Sequence, residues 1–320
     1  MIPSYRLQIC MLLLKKLKFH LCNGPLSKVH VTYCSNSTVS SLAPSSSVQK
    51  TVQTLASLMT GKVDHFNGIT VDLSLVPASV GVDEFFNHLG ASLQSWRDEG
   101  RIAAWLIVPI NCSHLIPAAV KCGFLFHHAE GSKAVLKLWL DCSKDDATPQ
   151  FATHQVGVSG VVLREETRQV LVVQDRNRRR TLWKFPGGLA DLGEDIESTA
   201  VREVLEETGV QTEYQSVLAF RQQHDHPGAF GRSDLYVLCR LRPLTYELRP
   251  CAREIRECRW MTVEELRLES NKSSITKRIT DILLHGLENG FDKVDIVSEE
   301  HESIHKDGVT FKLFFRPLSK

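Results

Sequence analysis

Three glutamates on one predicted helix are the residues of this sequence best suited to chemistry. Glu203, Glu206 and Glu207 stand at positions i, i+3 and i+4, so their carboxylates leave the same helical face. Like charges at this spacing repel one another and destabilise a bare helix. A hard divalent cation removes that repulsion, because Mg²⁺ binds a few carboxylates together with substrate phosphate oxygens. The spacing indicates a metal site for a phosphorylated substrate; the alternative is a solvated acidic helix face.

The segment that carries these glutamates, residues 187–210, has the pattern of a turn followed by a helix. The paired glycines at its start predict the turn. Glu194 or Asp195 opens the helix, where a carboxylate meets the positive end of the helix dipole. Gly209 is predicted to end the helix. An apolar residue recurs every four positions and forms a stripe for the core: Ile196, Ala200 and Val204.

Arg202 adjoins the acidic cluster and is suited to pair with Glu194 or with a ligating glutamate. The glycines, glutamates, arginine and aliphatic residues of the segment agree at once with the spacing Gly-x5-Glu-x7-Arg-Glu-aliphatic-x-Glu-Glu-x-Gly-aliphatic. At average residue usage, a chance match in a chain of this length is on the order of one in a million or less. The solvated acidic face is therefore rejected. This spacing is the Nudix box, and the sequence resembles the Nudix hydrolases.

The resemblance implies an α/β fold, an αβα sandwich around a mixed sheet, and hydrolysis of a nucleoside diphosphate linked to another moiety with Mg²⁺ or Mn²⁺. By position in the box, Glu203, Glu206 and Glu207 become metal ligands, and Glu203, Arg202 and Glu206 become catalytic residues. Gly187 and Gly188 form the loop at the substrate, with a carbonyl near the metal.

Outside the box, the resemblance assigns further residues. A carboxylate that precedes a Trp at a strand end completes the metal shell in several Nudix enzymes. Glu254, six residues before Trp260, is the candidate for this fourth acid, and Glu257 is the rival. Segments such as residues 104–110, 123–130, 171–174 and 231–236 resemble plant Nudix ADP-ribose/NADH pyrophosphatases and a vertebrate member of the family. Within the last of these segments, Arg232 is assigned to substrate binding.

Composition limits the remaining classes of function. The 320 residues, 42% hydrophobic and 23% charged, predict a globular chain with two domains. A net charge of +1 argues against a basic nucleic-acid surface, and no run of 18 apolar residues is present that would span a membrane. Nine scattered cysteines without a Cys-x-x-Cys pair indicate reduced thiols and neither a disulfide framework nor a zinc site.

The first 63 residues contain no Asp or Glu and carry basic and serine-rich stretches. This composition is typical of a transit peptide, with residues 6–21 as its amphipathic helix, and predicts mitochondrial localisation. The alternative is a disordered leader without a targeting function, with the protein in the cytoplasm and nucleus.

The chain is divided on these patterns into residues 1–60 (targeting or disordered leader), 61–141 (a smaller α/β pre-Nudix domain), 150–285 (Nudix hydrolase domain) and 286–320 (C-terminal tail). The pre-Nudix domain is predicted to have strands at 69–75, 102–110, 124–129 and 134–140 and helices at 82–100 and 114–123. The Nudix domain is predicted to have strands at 155–163, 170–174, 182–186, 216–223 and 233–241 and another strand that contains Glu254. The C-terminal tail is predicted to add an edge strand at 310–315.

A basic run and two histidine pairs could be either structural or functional. The basic run at 176–180 is either a solvated loop or an edge that faces phosphate. The pairs His127–His128 and His224–His226 are favoured as structural, the first because adjacent strand residues point to opposite faces.

The predicted function is metal-dependent hydrolysis of an ADP-ribose- or NADH-like phosphoanhydride. The alternatives are a regulatory nucleotide- or protein-binding member with low turnover, and an RNA 5′-end decapping enzyme, against which the near-neutral charge counts. The resemblance also implies a homodimer, and the pre-Nudix domain is predicted either to support that dimer or to help close the nucleotide site. Its aromatics are assigned either to the core or to contacts with a second copy: Phe85, Phe86, Trp96 and Trp105.

Overall fold

Two separate sheets hold most of the strands in the computed structural model, which describes residues 59, 61–77, 79–176, 182–270 and 273–318. The strands of the first sheet are Lys62–Val63 (β1), Ile69–Asp72 (β2), Ala103–Pro109 (β3), Leu125–Glu130 (β4) and Lys133–Trp139 (β5). Their order is β1-β2-β3-β5-β4, and only the β2–β3 pair is parallel. The two helices of this part are Val82–Asp98 (α1) and Ile116–Lys121 (α2).

Helix α1 makes the crossover that two parallel neighbours such as β2 and β3 require. It buries residues at helical spacing, Phe85, Leu89, Leu93 and Trp96. Phe85 and Trp96 are thus core residues, with exposed fractions of 0% and 4%, whereas Phe86 is 39% exposed. Trp105 in β3 is half-buried.

Two details of the part of the chain that holds the first sheet differ from the sequence prediction. The strand predicted at 69–75 stops at Asp72, because the Asp72 carboxylate accepts a hydrogen bond from the Ser74 N–H and starts a 3₁₀ turn. The expectation that His127 and His128 point apart is wrong. A register shift between Phe126 and His128 interrupts the regular alternation of β4, and the two Nδ1 atoms lie 2.7 Å apart.

The second sheet is mixed. Its strands are His154–Arg164 (β6), Gln169–Asp175 (β7), Gly187–Leu189 (β8), Thr212–Gln223 (β9), Ser233–Pro243 (β10) and Ile255–Thr262 (β11). The order is β11-β7-β6-β10-β9, and β8 pairs with the first half of β6. The β6–β10 pair is parallel and the other pairs are antiparallel.

Helices cover both faces of this sheet. Ile196–Thr208 (α3) packs Ala200 and Val204 onto one face, together with Val158 and Val162 of β6. Val263–Glu269 (α4) and Ser274–Asn289 (α5) pack onto the other face, which carries Val161 and Leu163. The side chains of β6 therefore alternate between two hydrophobic cores, one on each face of the sheet. The predicted αβα sandwich with a mixed sheet is confirmed.

The glycine pair of the box is a strand and not the predicted turn. Gly187 and Gly188 lie opposite Ser159 and Val158 in the β8–β6 pairing. The preceding residues, predicted as a strand, contribute only a bridge between Lys184 and Val173. The pairing of the glycine strand with β6 fixes the start of the box against the sheet.

The C-terminal segment forms a hairpin of its own, Val297–Glu302 (β12) with Thr310–Phe315 (β13). The strand predicted at 310–315 is present, but it pairs with β12 in a separate two-stranded sheet. Phe314 packs against the core under α3, and the Lys312 ammonium lies 3.2 Å from the Asp195 carboxylate and also pairs with Glu197. The hairpin is thus fastened to the start of α3.

Among the described residues, no helix has both the length and the hydropathy needed to cross a bilayer.

Candidate active site

Arg202 on α3 is the centre of a hydrogen-bond network. Its Nε and Nη2 atoms each donate to the Glu194 carboxylate at 2.8 Å, a bidentate arrangement. Nη1 donates to Glu203 at 2.9 Å, and Nη2 also donates to the Leu189 carbonyl at 3.1 Å. The hydrogen bonds from Arg202 lower the pKa of Glu194 to about 2. Both pairings suggested by the sequence are therefore present, and Arg202 ties α3 to β8.

The three box glutamates leave α3 on one face but differ in environment. Glu206 is exposed and lies 3.4 Å from Nη1 of Arg202. Burial raises the pKa of Glu203, and the charges of Glu206 and Glu254 raise it further, while Arg202 opposes them. Glu203 also lies directly under the glycine strand, since a Cβ added at Gly188 would come within 2.5 Å of its Oε1.

Glu207 is the most buried of the three, with 6% of its surface exposed. Its Oε2 accepts a 3.0 Å hydrogen bond from the Gly187 N–H, and the Lys184 ammonium lies 3.8 Å from Oε1. Burial is the main cause that raises the pKa of Glu207 to about 7. A carboxylate with this pKa exchanges its proton near neutral pH, so a cation and a proton compete for it.

Lys184 is a site residue that the sequence analysis missed. Its Nζ binds Asp175 at 2.8 Å as well as facing Glu207. Burial works to lower the pKa of Lys184, but the carboxylates of Glu207 and Asp175 outweigh it and raise the pKa. The only sequence signal was a lone lysine between Trp183 and Phe185 just before the box; its partners come from a strand and a helix distant in sequence.

The structure separates the two candidates for the fourth acid. Glu254 lies in the turn before β11 and not in the strand, and its charge acts on Glu203. Glu257 lies within β11. It shares a face with Met261, which packs in the α4–α5 core, whereas Cys258 and Trp260 pack on the α3 side. Only Glu254 is therefore positioned toward the box.

The donor set suits a hard cation, although its side chains are not arranged as a finished cage. Glu203, Glu206, Glu207 and Glu254 supply only carboxylate oxygens, the ligand type that Mg²⁺ and Mn²⁺ prefer. In the described part of the chain, no three His, Cys, Asp or Glu side chains converge in ready coordination geometry. Arg202 and Lys184 hold the acids instead, so binding a cation requires carboxylate rotation, which exposed Glu206 can make freely.

A cavity of about 690 Å³ opens on the sheet face beside the glycine strand. Gly187, Gly188 and Lys184 line one part of it. The rest of the lining includes Trp183, Tyr236, Arg221, Asp234 and His226, with Ser273 and Thr276 from the start of α5. Its size is within the range of small-molecule sites.

Several other predicted residues lie away from this cavity or outside the described residues. Arg232 donates from Nη1 to the Phe151 carbonyl at 3.1 Å and is not among the cavity-lining residues, so its role in substrate binding stays a prediction. Within the basic run, only Arg176 is described, and its Nη2 donates to the Ile255 carbonyl at 3.3 Å. His224 Nδ1 is 2.7 Å from the Ser233 hydroxyl, in line with the structural interpretation of this histidine.

Known proteins share both halves of this arrangement. A family model described as NUDIX domain matches residues 153–281, and one described as Nudix hydrolase domain matches residues 59–140. The protein "Nucleoside diphosphate-linked moiety X motif 6" of Mus musculus is 48% identical over 81% of this chain and 82% of its own length. Its counterpart of the same name in Homo sapiens is 46% identical over the same shares. "Nudix hydrolase 8" of Arabidopsis thaliana is 42% identical over 65% of this chain and 56% of its own. The predicted vertebrate and plant resemblance is confirmed, and with the complete box in place the chain belongs to the Nudix hydrolase family.

Proposed function

We propose that this Nudix hydrolase cleaves the phosphoanhydride bond of a nucleoside diphosphate derivative of the ADP-ribose or NADH type, with Mg²⁺ or Mn²⁺. One observation carries the proposal. Glu203 and Glu207 contact the glycine strand from the α3 side, and the cavity is lined by the same glycines. A diphosphate on the glycine strand would thus be within reach of the acidic cluster while a bonded moiety occupies the cavity.

In this proposal the cation is held by Glu203, Glu206 and Glu207 with Glu254 as the fourth acid, and when bound it neutralises diphosphate charge and acidifies a water. The protein residues do the positioning. Arg202 fixes Glu203 relative to β8 and keeps a positive charge beside the substrate. Lys184 and the Gly187 N–H hold Glu207 in place.

The site also supports a proton-transfer role for the box. One box glutamate would help to deprotonate the attacking water. Exposed Glu206 is free to rotate toward the substrate. Arg202 stabilises charge that develops on the phosphate oxygens next to Glu203.

The test is a substrate panel with Mg²⁺ and Mn²⁺, using ADP-ribose, NADH, coenzyme A, diadenosine polyphosphates and capped RNA. We expect the ADP-ribose or NADH arm to be fastest, and Glu206→Gln to lower turnover by about 100-fold while the protein stays folded. Glu288→Gln, an exposed helical glutamate on α5, is the matched control. A panel without hydrolysis, or hydrolysis of capped RNA alone, contradicts the proposal and favours the regulatory or the decapping alternative.

Two further proposals concern assembly and location. A homodimer supported by the pre-Nudix domain predicts a sedimentation mass of twice the chain's 36.0 kDa, and a single-chain mass contradicts it. Mitochondrial targeting rests on residues 1–60, which lie outside the described residues apart from Met59. A reporter that carries this segment should reach mitochondria; a reporter that stays diffuse in the cytosol and nucleus removes the idea.

A further inference from the structure

Part of the cavity lining comes from an ion pair on β9 and β10 that the box does not include. Arg221 on β9 lies opposite Tyr236 on β10, two residues from Asp234 on the same strand face. The Arg221 Nη2 atom pairs with the Asp234 carboxylate, and the guanidinium carbon lies 5.0 Å from the centre of the Tyr236 ring. All three residues line the cavity.

The protein satisfies this guanidinium only in part. The Nε of Arg221 is buried and has no hydrogen-bond partner among the described residues, and Asp234 is the one acceptor they provide. The guanidinium of Arg240, six residues after Asp234 on β10, is by contrast fully hydrogen-bonded by the protein. Its Nε and Nη2 both bind Asp295, Nη1 binds Glu165, and Phe291 covers its face. Arg240 therefore serves the fold, whereas Nη1 of Arg221 makes no hydrogen bond to the described residues and is the donor that a ligand in the cavity can meet.

The charge of the pair indicates what Arg221 receives. Asp234 is 6% exposed and already neutralises the guanidinium at contact distance. A second anion placed there would be repelled by the buried Asp234 carboxylate. An uncharged acceptor, such as a sugar hydroxyl, a carbonyl oxygen or a ring nitrogen, meets no such repulsion.

We propose that Arg221 is a specificity-determining residue that donates a hydrogen bond to an uncharged oxygen or nitrogen of the nucleoside or sugar bonded to the diphosphate. The inference rests on the proposed function, since it takes the diphosphate to lie at Gly187 and Gly188. Asp234 and the Tyr236 ring hold the guanidinium in one orientation, so the donor is preorganised for its ligand.

The test compares two ligands that hydrolysis cannot consume. The first is the methylene analogue of ADP-ribose, in which a CH₂ group replaces the bridging oxygen, and the second is methylenediphosphonate, which lacks both nucleoside and sugar. Binding is measured by calorimetry with Mg²⁺. Arg221→Gln should raise the Kd of the ADP-ribose analogue on the order of 10-fold and leave that of methylenediphosphonate unchanged.

A matched control lies on the same pair of strands. Arg242 on β10 pairs with Glu213 on β9 in the same way, but both side chains are more than half exposed, at 57% and 52%, outside the cavity. Arg242→Gln should leave both Kd values at the wild-type level. If Arg221→Gln unfolds, because it leaves Asp234 unpaired, the double variant Arg221→Gln, Asp234→Asn and the charge-retaining Arg221→Lys carry the test.

Three results overturn the inference. The first is equal Kd values in the Arg221 and Arg242 variants. The second is a parallel increase of both Kd values in Arg221→Gln, which would assign Arg221 to phosphate binding. The third is no binding of the ADP-ribose analogue by the wild-type protein. Because no step measures hydrolysis, a wild-type protein that binds the analogue through Arg221 but hydrolyses no substrate refutes the proposed function alone.

Discussion

Alanine at the two adjacent glycines of the box should affect different properties: Gly187→Ala should lower stability, and Gly188→Ala should lower activity. A Cβ at Gly187 would lie 2.3 Å from the Val158 carbonyl oxygen and 2.6 Å from the Ser159 Cα, both backbone atoms. Gly187 also has a φ of 155°, which alanine rarely adopts. For a Cβ at Gly188, the three nearest atoms all belong to the Glu203 carboxylate, with Oε1 at 2.5 Å and the carboxyl carbon at 2.7 Å.

The size of each effect depends on whether the atoms that an added Cβ would meet can move away. Backbone of β6 cannot retreat without breaking the β8 pairing, so Gly187→Ala combines steric overlap and backbone strain, about 2–6 kcal/mol of unfolding free energy. At roughly 2–4 °C per kcal/mol, the Tm falls by about 4–24 °C. The Glu203 side chain can rotate away, so Gly188→Ala should change stability by about 1 kcal/mol or less. That rotation breaks the Arg202–Glu203 bond and displaces a metal-binding carboxylate, and kcat should fall by about 10–100-fold.

Thermal unfolding and initial rates of ADP-ribose hydrolysis, measured on the same preparations, separate the two effects. Gly90→Ala is the control, since Gly90 lies in α1 with nothing within 4 Å of an added Cβ, and alanine there should stabilise by about 0.5–1 kcal/mol. Wild-type kcat in Gly188→Ala, or a wild-type Tm in Gly187→Ala, would refute the reasoning about β8.

Three other predictions follow from the charges. Because the pKa of Glu207 is about 7 against 4.5 for an ordinary glutamate, the metal-free protein should lose stability as pH rises from 4.5 to 7, and Mg²⁺ affinity should increase over the same interval. Glu207→Gln should make both quantities less dependent on pH in calorimetry, while Glu203, whose pKa burial also raises, still titrates; an unchanged pH profile would contradict the assignment. Glu254→Gln should raise the Mg²⁺ concentration for half-maximal rate about 10-fold or more, whereas Glu257→Gln should not; equal effects would reject Glu254 as the fourth acid. Arg240→Met should cost about 3–5 kcal/mol of unfolding free energy, because the buried Asp295 carboxylate loses its ion pair and keeps only the hydrogen bond from the Ser216 hydroxyl. A Tm within 2 °C of wild type would show that the ion pair is dispensable.

The sequence alone was sufficient for the features that depend on neighbours along one helix. Glu203, Glu206 and Glu207 share a face because the helical repeat places positions i, i+3 and i+4 together. Gly209 ends α3 in the left-handed conformation, as its residue type predicted. The pairing of Arg202 with Glu194 is also present as expected, since both residues flank the first turns of the same helix.

The tertiary structure decided the features that need a partner distant in the chain. A Gly-Gly pair is compatible with a turn or a strand, and only the approach of β6 makes it β8. Lys184 joins the site because β7 and α3 bring Asp175 and Glu207 to it. Arg221 acquired a role only when the β9–β10 register placed it over Tyr236 in a cavity. Side-chain periodicity sets which face a residue occupies within its own element, but strand pairing and helix packing set what that face meets, and these depend on residues tens of positions away.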